Sequence, residues 1–390
     1  MMPLVLSASG LVTCLGLGSG AMLAGLRART DGLRACDFAG IAQGHIGRVA
    51  AVEAHALPAP LAAFDCRNNR LADMALRSDG FAKAVARAAQ RYGTDRIAVV
   101  VGTSTSGVLS CEDAYADRDS LTGALPEAFD YRHTHDLQSL AAFTRAALGL
   151  TGPAMTVSTA CASSARAFVD AAHLITAGVA DAAVVGGADS LCRLTLSGFA
   201  ALELISPEPC RPCDADRQGI SIGEAAGFCL LERGTTGIAL IGTGVSSDGY
   251  HMSSPRPDGA GAALAMQRAL HSAGLAPRDI DYINLHGTGT RANDAAEDSA
   301  VAAVFGDAVP CSSTKGFTGH TMGSCGIIEA LVVAQCLRHG LVPGGLRVDR
   351  VDPAFRAQVA TRNEIRPLRR AVSNAFGFGG INVSLVLGML

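Results

Sequence analysis

One cysteine, two histidines and one lysine stand in loops of a kind that supports covalent catalysis. The segment Met155-Thr156-Val157-Ser158-Thr159-Ala160-Cys161-Ala162-Ser163-Ser164 ends a short apolar run in small residues, and an alanine-rich helical pattern follows to about residue 177. Cys161 therefore sits where a buried strand meets a helix. A thiol there faces the positive end of the helix dipole and unpaired backbone N–H groups. Both favour the thiolate, the form that attacks a carbonyl carbon. Standing alone, Cys161 would read as a small buried apolar residue, as we read the other eleven of the twelve cysteines.

Two further segments each bring a histidine into a loop rich in glycine and threonine. They are Asn284-Leu285-His286-Gly287-Thr288-Gly289-Thr290 and Ser312-Ser313-Thr314-Lys315-Gly316-Phe317-Thr318-Gly319-His320. A single histidine after a strand is more often a satisfied core residue than a catalyst. Three strand-end loops carrying Cys161, His286 and the Lys315/His320 pair shift the reading toward a site. A fourth, Asn374-Ala375-Phe376-Gly377-Phe378-Gly379-Gly380, has the backbone freedom that an N–H donor facing an oxyanion requires. Lys315 stands out by composition, because Lys83 and Lys315 are the only lysines among 32 Lys and Arg residues. A lysine kept inside such a loop points to a need for a compact ammonium that a planar guanidinium would not meet. Glu329, in the helical pattern that follows, is its candidate ion-pair partner.

Such loops need strands to hold them, and the chain supplies short apolar runs that alternate with helical patterns, as in an α/β protein with buried strands. Ile97 to Val101 leads into Gly102-Thr103-Ser104, Met155 to Ser158 into Cys161, and Ala182 to Val185 into Gly186-Gly187. Ile238 to Ile241, Tyr282 to Leu285, Pro310 to Ser313 and Val372 to Ala375 repeat the habit in the second half. LVLSASGLVT at Leu4 and IALIGTGVSS at Ile238 share one apolar-to-small pattern, which suggests a duplication. Its junction would fall at Gly234-Thr235-Thr236-Gly237, after a strand at Gly227 to Leu231, giving halves 1–236 and 237–390. Cys111 to Leu140 shows no clean period and reads as an irregular excursion.

Composition narrows the function. With 390 residues, 49% hydrophobic and 17% charged, the chain can bury a large core but has little surface for a strongly charged face. A net charge of −3 gives no basic field for nucleic acid, which we exclude as a partner. Twelve cysteines without paired spacing suit a reducing cytoplasm. The apolar start, MMPLVLSASGLVTCLGLGSGAMLAGL, lacks a basic leader and is broken by glycine and serine, so we expect a strand there and no membrane span. Cys210-x-x-Cys213 has no second pair or histidine spacing, so no metal is expected.

TACASSA around Cys161, HGTGT from His286, STKGFTGH ending at His320 and AFGFGG around Phe378 occur in the order and spacing of four signature loops. By them the chain resembles the β-ketoacyl-[acyl-carrier-protein] synthases, condensing enzymes of the thiolase-like superfamily. Further similarity at Cys210-Arg211-Pro212, Ile222-Gly223-Glu224 and SSDGYHMSSPRPDGAGAALAMQRAL extends it over nearly the whole chain. The resemblance implies a duplicated five-layered α-β-α-β-α fold with mixed sheets, its first half carrying the nucleophile and its second both histidines. It implies that Cys161 takes an acyl group from a carrier-bound phosphopantetheine thioester while the N–H groups of Cys161 and Phe378 bind the oxyanion. His286 and His320 would then assist decarboxylation of malonyl-carrier protein, whose enolate extends the chain by two carbons. Thr288 and Thr290 would hold the pantetheine arm, Lys315 with Glu329 would orient the His320 loop, and Phe378 would gate the acyl site. No cofactor is implied beyond the arm on the acyl carrier protein, and a homodimer or a heterodimer with a related subunit is expected.

Several positions depart from that pattern. The loop Gly102-Thr103-Ser104-Thr105-Ser106-Gly107 places Thr105 where the resemblance expects a bulky aliphatic residue at the acyl pocket. Cys213 replaces an aromatic, Gly219-Ile220-Ser221 an acidic-glycine step, and Glu203 a basic residue that contacts the carrier. Arg67 and Arg70 are the substitute candidates for carrier docking, beside their reading as a solvated helix face. Fatty-acid elongation and a secondary pathway, aryl-polyene or polyketide, remain equal readings. The alternatives in kind are a non-catalytic chain-length-factor partner, which would lack the nucleophile, and a thiolase or thioester hydrolase. A thiolase would favour a cysteine in the loop that here carries Phe376 and Phe378.

Overall fold

The apolar runs become strands, most of them longer than the runs that announce them. The computed structural model describes residues 2–38, 41 and 44–390, so of the apolar N-terminal segment only Met1 lies outside the described residues. The main strands are β1 (Leu4–Thr13), β2 (Ile97–Gly102), β3 (Ala154–Val157), β4 (Ala182–Asp189), β5 (Ala225–Arg233), β6 (Ile238–Ser247), β7 (Tyr282–Asn284), β8 (Pro310–Ser312), β9 (Arg370–Gly377) and β10 (Ile381–Met389). They pair in the order β3-β2-β4-β5-β1-β6-β10-β9-β7-β8, and two-residue pieces at Gly16–Leu17 and Gln358–Val359 complete a 12-stranded sheet.

The strand directions repeat. In the first half β5 is antiparallel to β1 and β4, while β2 is parallel to β4 and β3. In the second, β10 is antiparallel to β6 and β9, while β7 is parallel to β9 and β8. One strand order and one set of directions used twice is the arrangement a duplication produces. Among the described residues the two β-units pair within the sheet where β1 meets β6, at Leu4↔Leu240 and Val5↔Ala239. That narrow seam lets them fold toward each other over a pair of helices.

The helices that make the layers are α1 (Arg67–Arg77), α2 (Phe81–Tyr92), α3 (Ser139–Ala147), α4 (Ser163–Thr176), α5 (Arg193–Ala201), α6 (Ala260–Ala273), α7 (Arg291–Phe305) and α8 (Cys325–His339). Helices α4 and α8 touch each other and pack on strands of both β-units; α1, α2 and α3 cover the outer face of one unit, and α6, backed by α7, covers the other. The result is the α-β-α-β-α order, with both β-units of the sheet mixed. Burial explains the central layer: α8 is buried at every position from Cys325 to Leu337, as a helix that is apolar on nearly every side must be. Strands β2 and β4, covered on both faces, are likewise buried throughout.

This topology gathers the candidate loops. Cys161 follows β3, His286 follows β7, His320 follows β8 and Phe378 follows β9, so all four leave the carboxyl ends of sheet strands, where open α/β sheets form their clefts. The excursion from Cys111 to Leu140 begins inside a helix, Val108–Ala116, passes through turns and one π-helical turn at Tyr131–His135, and ends in α3. Among the described residues no helix is long and apolar enough to cross a membrane.

Candidate active site

The turn that carries Cys161 is built under strain. Ala160 takes a left-handed φ of 49°, which swings Cys161 out at the start of α4. Gly377 must be glycine for the Phe378 loop to approach it: a Cβ there would lie 2.6 Å from the Thr159 carbonyl oxygen. In this arrangement the N–H groups of Phe378 and of Cys161 itself are directed at the Cys161 sulfur.

Those donors do not make a resting thiolate, contrary to the expectation from the helix terminus. Burial pushes the Cys161 thiol up to about 11, against the pull of the Lys315 charge and the two N–H groups and with help from the Asp189 carboxylate. His320 Nε2 lies 3.1 Å from the sulfur.

The protons on both histidines can be assigned from their other ring nitrogens. The Met322 backbone N–H donates to His320 Nδ1 at 3.2 Å. Lys315 Nζ reaches His286 Nδ1 at 3.3 Å, the His286 carbonyl oxygen at 2.5 Å and Glu329 Oε1 at 2.5 Å. An ammonium has only donors, so both Nδ1 atoms accept and both Nε2 atoms carry hydrogen. Burial, aided by the Lys315 charge, holds both imidazoles well below the usual histidine range, so they are neutral near pH 7. Burial opposes the Lys315 charge, but Glu329, through its charge and its hydrogen bond, together with Cys325 and Glu297 leaves the ammonium above the ordinary lysine value. The rings of His286 and His320 stand edge to face with centroids 5.3 Å apart. Two neutral N–H donors thus converge near one thiol.

A cavity of about 580 Å³ leads from the surface to this cluster; Cys161, His286, His320, Thr288, Thr290 and Phe378 all line it. The two threonine hydroxyls bond each other at 2.9 Å, and Thr290 also caps α7 by accepting from the Asn293 N–H. Lys315 and Glu329 meet as expected, but their contacts fasten the His286 loop, where the sequence suggested the His320 loop.

Thr105 does not open on that cavity. Its hydroxyl donates to Asp189 Oδ1 at 2.7 Å, and Thr103 Oγ1, Ser104 Oγ and the N–H groups of Ser104 and Thr105 donate to the same carboxylate. A fully buried carboxylate demands those donors, which turns the loop inward. The docking reading of Arg67 and Arg70 also changes. Arg67 makes a two-pronged bond with buried Glu224 and another bond with Glu53, and Arg70 pairs with Asp65. Both cations are engaged within the chain. Glu203 lines the cavity.

Phe199, on α5, escaped the sequence reading: its ring meets that of Phe378 with centroids 5.5 Å apart, at the cavity wall. So did Asp294 and Glu297, which bind the His286 loop from α7. Their acidic i, i+3 spacing just after HGTGT was the available signal. Cys210 and Cys213 have different surroundings, Cys210 donating to the Lys315 carbonyl and Cys213 lying in an apolar cluster with Ile283 and Val372.

Residues 68–236 match the family model described as beta-ketoacyl synthase, N-terminal domain, and residues 238–349 that described as its C-terminal domain. The 3-oxoacyl-[acyl-carrier-protein] synthase 2 of Rhizobium meliloti (strain 1021) is 42% identical over 260 residues, 61% of this chain; this chain spans 61% of that synthase's length. Nodulation protein E of Rhizobium meliloti is 36% identical over 305 residues, 74% of this chain and 75% of that protein. Among solved structures, a chain of the ketosynthase ApeO in complex with its chain length factor ApeC, from Xenorhabdus doucetiae, superposes with a TM-score of 0.91 at 39% identity. The match covers 100% of this chain and 98% of that one.

Proposed function

Because the chain belongs to the β-ketoacyl synthase family, we propose that it catalyses the decarboxylative condensation of malonyl-acyl-carrier protein with an acyl group held on Cys161. The observation that carries this reading is the approach of His320 Nε2 to the Cys161 sulfur at 3.1 Å, beside His286, at the inner end of the cavity.

In the first half-reaction the Cys161 sulfur attacks the acyl thioester, the carbonyl oxygen becomes an oxyanion facing the Cys161 and Phe378 N–H groups, and the pantetheine thiol leaves with the proton Cys161 gave up. In the second, the malonyl thioester carbonyl accepts from the two Nε2–H groups. Its bond to the carboxylate breaks, carbon dioxide leaves, and the bonding pair becomes the enolate. The enolate carbon attacks the acyl-cysteine carbonyl, the bond to Cys161 breaks, and the sulfur regains a proton from water. The product is a β-ketoacyl thioester two carbons longer. Removing one such donor costs roughly 3 kcal/mol in comparable oxyanion sites.

Thr288 and Thr290 serve the pantetheine arm in this reading, Phe378 against Phe199 forms the gate, and Lys315 with Glu329 is a positioning pair. The prosthetic arm arrives on the acyl carrier protein and no other cofactor is required. The likeness to a ketosynthase solved with its chain length factor supports a heterodimer with a related subunit, and with it a secondary pathway of the polyketide or aryl-polyene kind in the cytoplasm. Cys161 with both histidines favours the catalytic role over that of the chain-length partner.

Intact-protein mass spectrometry tests the proposal. The protein is mixed with a panel of acyl-carrier proteins and then with malonyl-carrier protein. An adduct on Cys161 that disappears as a β-ketoacyl product forms is the expected result. Labelling by polyenoyl or aryl chains alone would point to the secondary pathway, whereas no adduct from any donor on a folded protein overturns the catalytic reading.

A further inference from the structure

We propose that the Lys315 ammonium is a built-in cation filling a metal-ligand cage, and that by filling it Lys315 keeps the cysteine and histidines of the site free of zinc-like ions. Ligand spacing raises the issue. Cys161, His286 and His320 each offer a ligand atom within 4.8 Å of the others, and so do His286, Cys325 and Glu329. Thiolate, imidazole and carboxylate are the donors of tetrahedral zinc sites. A centre that depends on a free thiol and two free imidazole N–H groups would be blocked by such an ion.

Lys315 answers for the inner set. Its Nζ lies 2.5 Å from Glu329 Oε1, 2.5 Å from the His286 carbonyl oxygen and 3.3 Å from His286 Nδ1, all within a pocket where the lysine is 1% exposed. Glu329 Oε2 is buried with no hydrogen-bond partner among the described residues, leaving a lone-pair donor for a larger charge. Carboxylate, carbonyl and imidazole lone pairs converge on the ammonium as they would on a metal.

The same contact guards the outer set. A metal bound at Nε2 of a neutral imidazole needs the ring hydrogen on Nδ1, where a second group normally accepts it. Here donors face both Nδ1 atoms, Lys315 at His286 and the Met322 N–H at His320. Moving either ring hydrogen would set donor against donor in a buried site, at the cost of an unmade hydrogen bond.

The proposal does not depend on the condensation reading, because it is read on the resting protein. The full chain is stripped of metal, kept reduced with a phosphine and titrated with Co²⁺ as wild type, Lys315→Ala and Lys315→Met. Lys315→Ala is expected to bind one Co²⁺ about 100-fold more tightly than wild type, with a thiolate-to-cobalt charge-transfer band and the intense visible bands of four-coordination. Adding Cys325→Ala should abolish the band, and adding Cys161→Ala should leave it. Stoichiometric uptake by wild type with the same bands overturns the proposal, and that measurement stands whether or not the variants fold. So does a folded Lys315→Ala or Lys315→Met that binds no cobalt more tightly than wild type.

Discussion

Met322 donates its N–H to His320 Nδ1 and Lys315 donates to His286 Nδ1, so both imidazoles carry their hydrogen on Nε2, that of His320 3.1 Å from the thiol sulfur, and neither is arranged as a base. The thiol itself is held protonated by burial, at about 11. Below that value the thiolate fraction rises tenfold per pH unit, so alkylation of Cys161 by iodoacetamide should quicken about 100-fold from pH 7 to pH 9, without a plateau. A rate already level at pH 7 would mean a preformed thiolate–imidazolium pair. For the histidines, removing a donor that acts on developing negative charge should slow malonyl decarboxylation by roughly 100-fold to 1,000-fold in His320→Ala. His320→Asn, which can still present an N–H, should recover part of that loss in a radiolabelled carbon dioxide assay. An alanine variant as fast as the asparagine one would remove His320 from the step. Cys161, His286, His320 and Lys315 were legible as candidates because their types stand out within short local strings that the fold brings together. Thr105 was not, because its direction is set by Asp189 across the sheet. The thiol's protonation was not either, since it depends on how completely the fold excludes water from Cys161.

Helix α7 shows what an element contributes that its loop cannot. The N–H groups of His286 and Gly287 donate to the two oxygens of Glu297, and those of Thr288 and Gly289 donate to Asp294 Oδ1. Two carboxylates one turn apart on the helix thus take the successive donors of the histidine loop, while Thr290 caps the same helix. Glu297 also accepts from the Asn374 side chain at 3.2 Å, tying β9 to the assembly. Glutamine at position 297 can accept one backbone N–H but turns its own N–H₂ toward the other. Glu297→Gln should therefore lower the unfolding free energy by about 2 kcal/mol, read as a shifted urea midpoint with unchanged slope. An unshifted midpoint would mean that the loop holds its shape without the helix. The strands and the helix after Cys161 were readable from apolar runs and glycine-bearing ends. The carboxylate ladder was not, because a sequence shows acidic residues at i and i+3 without showing that they face inward.

The two β-units repeat one strand order, yet the molecule they make is not two separable bodies. They share a seam of only two residue pairs between β1 and β6, so the sheet itself contributes little to holding them together. The contact that matters is the central layer. Helix α8 belongs to the second half but packs on β4 and β5 of the first, and α4 belongs to the first but packs on β10 of the second. Ile327, Ile328, Leu331 and Val332 of α8 lie in one buried cluster with Phe168, Val169 and Ile175 of α4, and each such side chain is worth roughly 1.5–3 kcal/mol when removed from water. Separated halves would expose these faces. Residues 1–236 and 237–390 expressed alone should therefore bind a hydrophobic dye and unfold without a cooperative transition, while the intact chain unfolds in one. Calorimetry on all three decides it, since a sharp transition in either half alone would show that the unit closes its own core. The candidate site follows the same logic: Cys161 comes from one half and His286, His320 and Phe378 from the other, so the cluster exists only while α4 and α8 hold the two units face to face.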